Sequence, residues 1–99
     1  MDLYVIRRRR AFQPATVEAA VERANAQADE ARDQLRHVRS YLLAEEDGSL
    51  GTVCLYEATG PEAIRAHATA AGLPADEILR VVDTGVTRPD PEPATPQAS

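Results

Sequence analysis

The sequence predicts an α+β fold of ferredoxin-like βαββαβ order: a four-stranded antiparallel sheet with two helices on one face, pairing as a dimeric α+β barrel. Three observations predict it. Apolar residues alternate in the first segment, recur every three or four residues in the second, alternate twice more, return to helical spacing and alternate a last time. A glycine-containing loop joins the two middle alternating segments. Both faces of the resulting sheet carry apolar side chains, more than a soluble monomer ordinarily exposes.

Leu3 to Arg8 sets Leu3 and Val5 against Tyr4 and Ile6, with the β-branched and aromatic content of a strand. From Thr16, a candidate N-cap, the residues Val17, Ala20, Val21, Ala24, Ala28, Ala31 and Leu35 form the stripe of a long amphipathic helix. Val38 to Glu45 and Thr52 to Ala58 read as antiparallel strands, and Gly48 and Gly51 between them supply the positive φ of a hairpin loop. Thr59-Gly60-Pro61-Glu62 has the form of a capping box with proline in the first turn, and it opens a helix that Gly72 ends and Pro74 keeps from resuming. Ile78 to Val82 is the fourth strand. The domain is expected to span 1–86, and 87–99, with prolines at 89, 91, 93 and 96, to be a disordered tail.

Ninety-nine residues allow one domain of modest stability, which dimerisation would help. Sixteen acidic against eleven basic side chains give a net charge of −5, which argues against nucleic acid as a partner. No stretch approaches the ~18 apolar residues of a membrane span, and no apolar signal core follows the N-terminus, so a cytoplasmic protein with no membrane partner is expected. A single cysteine, Cys54, allows no intrachain disulfide. With no tryptophan, one phenylalanine and many alanines, the core depends for bulk on Tyr4, Tyr41 and Tyr56. If Val5, Val53 and Leu55 face the helices, then Tyr4, Ile6, Cys54 and Tyr56 point away from them, toward a second subunit packed sheet against sheet.

Val38-Arg39-Ser40-Tyr41-Leu42, Cys54-Leu55-Tyr56-Glu57-Ala58, Pro61-Glu62-Ala63-Ile64-Arg65 and Gly72-Leu73-Pro74, at these spacings, resemble a small, mostly actinobacterial family of unknown function that includes a nickel-binding protein. The resemblance runs from about Tyr4 to Val82 and implies a ferredoxin-like homodimer with nickel as its possible cofactor. It also implies a histidine where this chain has Arg39, and histidines where it has Ala68 and Leu73. His67 stands one position from the first of these, about 100° around a helix.

Several side chains are candidates for a site. Tyr4, Tyr41 and Tyr56 can converge on one sheet face around a ligand cavity, with Cys54 as a soft ligand or a small buried side chain. Arg7 to Arg10 alternate to both faces, so that a pair including Arg8 can clamp a carboxylate or phosphate, or pair with Glu45, Glu46 or Asp47. His37, at a strand start, and His67, at the edge of a helical stripe, are the candidate metal ligands. The reading that follows is a non-enzymatic homodimer binding a small ligand or a nickel-type ion. The alternative is a cofactor-independent monooxygenase or isomerase acting on a small aromatic or polyketide-like substrate. A third, an interaction module with a proline-rich tail, rests on composition alone.

Overall fold

A computed structural model describes residues 1–91. Its elements are β1 (Asp2–Phe12), α1 (Val17–Glu30), β2 (Leu35–Ala44), β3 (Leu50–Ala58), α2 (Pro61–Ala71) and β4 (Glu77–Arg80), the predicted βαββαβ order. The strands form one sheet in the order β2-β3-β1-β4, every neighbouring pair antiparallel. This is the ferredoxin-like arrangement. No helix among the described residues is long and apolar enough to cross a membrane. Residues 92–99, most of the expected tail, lie outside the described residues.

The sheet faces are the reverse of those expected. Tyr4, Ile6, Cys54 and Tyr56 are buried with Ala28, Leu35, Ala63 and Ile64, so they lie beneath the helices. Val5, Val53 and Leu55 are half-buried on the opposite, open face. Alternation separates two apolar faces without saying which is covered; side-chain volume decides it. Both helices turn alanines inward, Ala20, Ala24 and Ala28 from α1 and Ala63, Ala68 and Ala71 from α2. A close-packed interior then needs its bulk from the sheet, and tyrosine and isoleucine supply it.

Three local expectations also change. Helix α1 stops at Glu30 instead of continuing to Leu35: a turn closed by Gln34 N–H to Ala31 O, 2.8 Å, leads into β2. Leu35, 1% exposed, fits both patterns, as the next position of the helical stripe and as the first inward residue of β2. Neither helix has the side-chain cap expected of it; Thr16 Oγ1 donates back to Gln13 O, and Gly60 rather than Thr59 is the N-cap of α2. Of the two loop glycines, Gly48 has positive φ, 87°, whereas Gly51 lies in β3. The end of α2 is as expected, with Gly72 at φ 69° and Leu73 N–H bonded to Ala68 O at 2.9 Å.

After β4 the chain turns toward the far edge of the sheet. Asp90 accepts hydrogen bonds from Tyr41 Oη at 2.7 Å and Arg39 Nη1 at 3.2 Å, so the end of the described chain rests on the β2 margin of the open face.

Candidate ligand-binding site

Strand alternation places Tyr4, Ile6 and Arg8 of β1 in one inward row, beside Thr52, Cys54 and Tyr56 of β3. In β2 a bulge between His37 and Arg39 shifts the register. His37 is therefore opposite Tyr56, and Ser40 opposite Cys54, on the helix side of the sheet. Between this surface and α1 lies a cavity of about 140 Å³. Phe12, Val21, Leu42 and Leu73 form apolar walls, and Arg8, Thr52, Cys54 and Tyr56 reach it from the sheet.

Arg8 is the unusual member. The other three arginines of the run have carboxylate partners: Arg7 meets Glu45 at 3.1 Å, Arg9 meets Glu77 at 2.9 Å and Arg10 meets Asp47 at 3.8 Å. Arg8 is 1% exposed and, among the described residues, has no acidic partner. Its Nη1 donates to the Pro74 carbonyl, while Nη2 has no partner; the buried Thr52 Oγ1 has none either. A buried guanidinium without a counter-charge is costly, and so is each unsatisfied polar atom beside it.

The groups around it are held neutral. His67 Nε2 lies 3.2 Å from Tyr56 Oη inside the core, and its Nδ1 has no partner. Burial lowers the His67 pKa to about 4, assisted by the charge of Arg8. Burial likewise lowers His37, and raises the Tyr56 phenol above its ordinary value. His37 Nε2 meets Ser40 Oγ at 2.6 Å, and Ser40 Oγ donates to Cys54 Sγ at 3.2 Å. With its single proton on the thiol, Ser40 accepts from His37 and is not activated as a nucleophile.

Four of the seven predicted residues, Arg8, His37, Cys54 and Tyr56, border the cavity. His67 stands behind Tyr56, their ring centroids 5.4 Å apart. Tyr4 belongs to the same buried cluster without bordering the cavity, and Tyr41 is on the open face, so the three tyrosines do not converge. Asn25, Ser40 and Thr52 were not anticipated; the same two-residue spacing that groups Cys54 with Tyr56 includes Thr52.

The family model described as nickel responsive protein SCO4226-like matches residues 4–81. The chain belongs to the SCO4226-like family. Among solved structures, this SCO4226-like chain is similar to that of SCO4226 from Streptomyces coelicolor A3(2), with a TM-score of 0.63, 20% identity, and 84% of this chain and 99% of that one covered. A second structure, SnoaB, a cofactor-independent oxygenase from Streptomyces nogalater, aligns with a TM-score of 0.44 and 24% identity over 88% of this chain and 98% of that one. No curated protein matches it.

Nickel, which the family description brings forward, does not fit the histidines of this chain. Among the described residues no three His, Cys, Asp or Glu side chains converge. His37 and His67 each have Nε2 engaged, and the guanidinium of Arg8 acts on both, repelling a cation where an ion would need donors.

Proposed function

We propose that this protein is a non-enzymatic, small-ligand-binding homodimer, its ligand held in the cleft between α1 and the sheet and its subunits joined through the open sheet face. The observation that supports this most is the cavity itself, in which apolar walls surround a few convergent polar groups, two of them buried without partners. Binding is favoured over catalysis because burial makes His67 too weak a base at neutral pH and sets it behind Tyr56, away from the cleft, while Ser40 spends its proton on Cys54. Arg8, His37, Cys54 and Tyr56 are the residues assigned to the ligand. Tyr41 is assigned to the dimer face instead.

Amide chemical shifts test the cavity directly. A panel of single-ring probes, an alcohol, an acid and an amine, is expected to move the amide signals of Thr52, Cys54 and Tyr56. Ala24→Phe, which fills the space from α1, should abolish those shifts while leaving the spectrum folded. The reading is wrong if no probe moves those signals, or if the shifts persist in the filled variant.

A further inference from the structure

We infer that the ligand is a carboxylate: a single-ring or short-chain organic acid whose carboxylate lies between Arg8 Nη2 and Thr52 Oγ1. This deepens the ligand-binding reading above and rests on it. The charge argument comes first. Four consecutive arginines lie in the second half of β1, and the protein gives a carboxylate to three of them but not to Arg8, the one it buries. The three partnered residues need nothing further. Arg8 retains a full positive charge and one unused pair of N–H donors in a region of low dielectric, where a bound anion gains most.

Geometry then narrows the class. Nη1 is held on the Pro74 carbonyl, which orients the guanidinium before a ligand arrives, and Nη2 keeps both of its N–H donors unused. Thr52 Oγ1, likewise without a partner, can donate one more hydrogen bond. These two donor groups suit the two oxygens of a carboxylate. A phosphate dianion, with more oxygens and charge to satisfy, would be left against the apolar side chains of Phe12, Val21, Leu42 and Leu73. Those walls suit a hydrocarbon body. A cleft of about 140 Å³, open where Val21 and Leu42 are exposed, matches one ring in size, since an apolar cavity of ~150 Å³ accommodates benzene. The ligand therefore pairs one acid group with one ring or its equivalent in chain length.

The test is calorimetric titration of the full chain with benzoate, with benzyl alcohol as the neutral probe of similar size, and with inorganic phosphate. Benzoate is expected to bind at least roughly tenfold more tightly than benzyl alcohol, and phosphate not measurably. Arg8→Met keeps the apolar stem and removes the charge. It should cost benzoate roughly tenfold or more in affinity, leave benzyl alcohol nearly unchanged, and not lower the melting temperature of the unliganded protein. Thr52→Val provides a second, smaller loss that does not depend on the fold of the Arg8 variant. Equal affinity for benzoate and benzyl alcohol, or undiminished benzoate binding by Arg8→Met, would overturn the carboxylate assignment while leaving the cavity reading intact. Should none of the probes bind, both fall together.

Discussion

At the scale of single residues, the buried histidine makes a measurable statement about pH. His67 is 4% exposed, and its pKa in the fold is about 4, against an ordinary value of 6.5. Between those values the unfolded chain binds a proton that the folded chain refuses, so stability rises with pH across this window. It is fully present above about pH 6.5 and is lost as pH falls toward 4. His37 is shifted in the same direction and adds to the trend. Screening by water reduces the full effect to an expected loss of about 1–2 kcal/mol, or roughly 5–10 °C in melting temperature. His67→Gln, which keeps a partner for Tyr56 Oη, should remove most of the slope between pH 6.5 and 5, where carboxylates contribute little. A wild-type melting temperature that is flat over that range, or an unchanged slope in the variant, would contradict the assignment. The sequence already marked His67 as bordering a buried stripe and Arg8 as a possible anion clamp. It did not show their surroundings, because a neighbour's identity depends on which strands and helices the fold brings together, as with Thr52 from β3 and Pro74 from the loop after α2.

At the scale of elements, the strongest constraint is in β3. Gly51 is opposite Leu43 and beside β1 in the part of that strand where pairing is interrupted between Arg8 and Phe12. A Cβ there would press on Glu45 Oε2 and come within 2.6 Å of Arg7 Nη1 and 2.7 Å of the Arg8 carbonyl. The Arg7 side chain can swing away, although only by leaving Glu45. The backbone carbonyl cannot. Gly51→Ala is therefore expected to destabilise by about 1–3 kcal/mol, as overpacking does elsewhere. Gly60→Ala, with open space around its Cβ, should change stability far less. Urea unfolding of the two variants is the comparison, and equal midpoints would remove Gly51 from the account. Element order and type were legible in the chain because periodicity and the Gly72 stop are local signals. The end of α1 was not: Leu35 satisfies a helical stripe and a strand pattern alike, and the turn at Ala31–Gln34 contains no glycine or proline to mark it.

At the scale of the whole molecule, the reversal of the sheet faces changes which residues a partner would meet. The open face carries Leu3 and Val5 from β1, Val53 and Leu55 from β3, Leu43 and Tyr41 from β2, and Leu79 from β4, the last 56% exposed. Apolar alternation on both faces predicted that a second copy covers one of them, and the volume of the tyrosines decided that it is not theirs. Burying a side chain such as Leu55 completely is worth ~1.5–3 kcal/mol, and several per subunit favour association. The Asp90 contacts with Arg39 and Tyr41 occupy only the β2 margin, and exposed pairs of that kind contribute little, so a partner can displace them. Leu55→Asp would place an unpaired carboxylate in the interface without touching the core, and is expected to give a folded monomer. Tyr56→Asp, at a position 3% exposed beneath α2, should instead unfold the subunit, and Arg65→Asp, on the exposed side of α2 with only a surface pair to Glu62, should leave a dimer. Sedimentation of the three variants beside the wild type, with circular dichroism to report folding, separates these outcomes. Wild-type protein that sediments as a folded monomer at micromolar concentration would refute the dimer. A Leu55→Asp variant that remains dimeric would place the partner on some surface other than the open sheet.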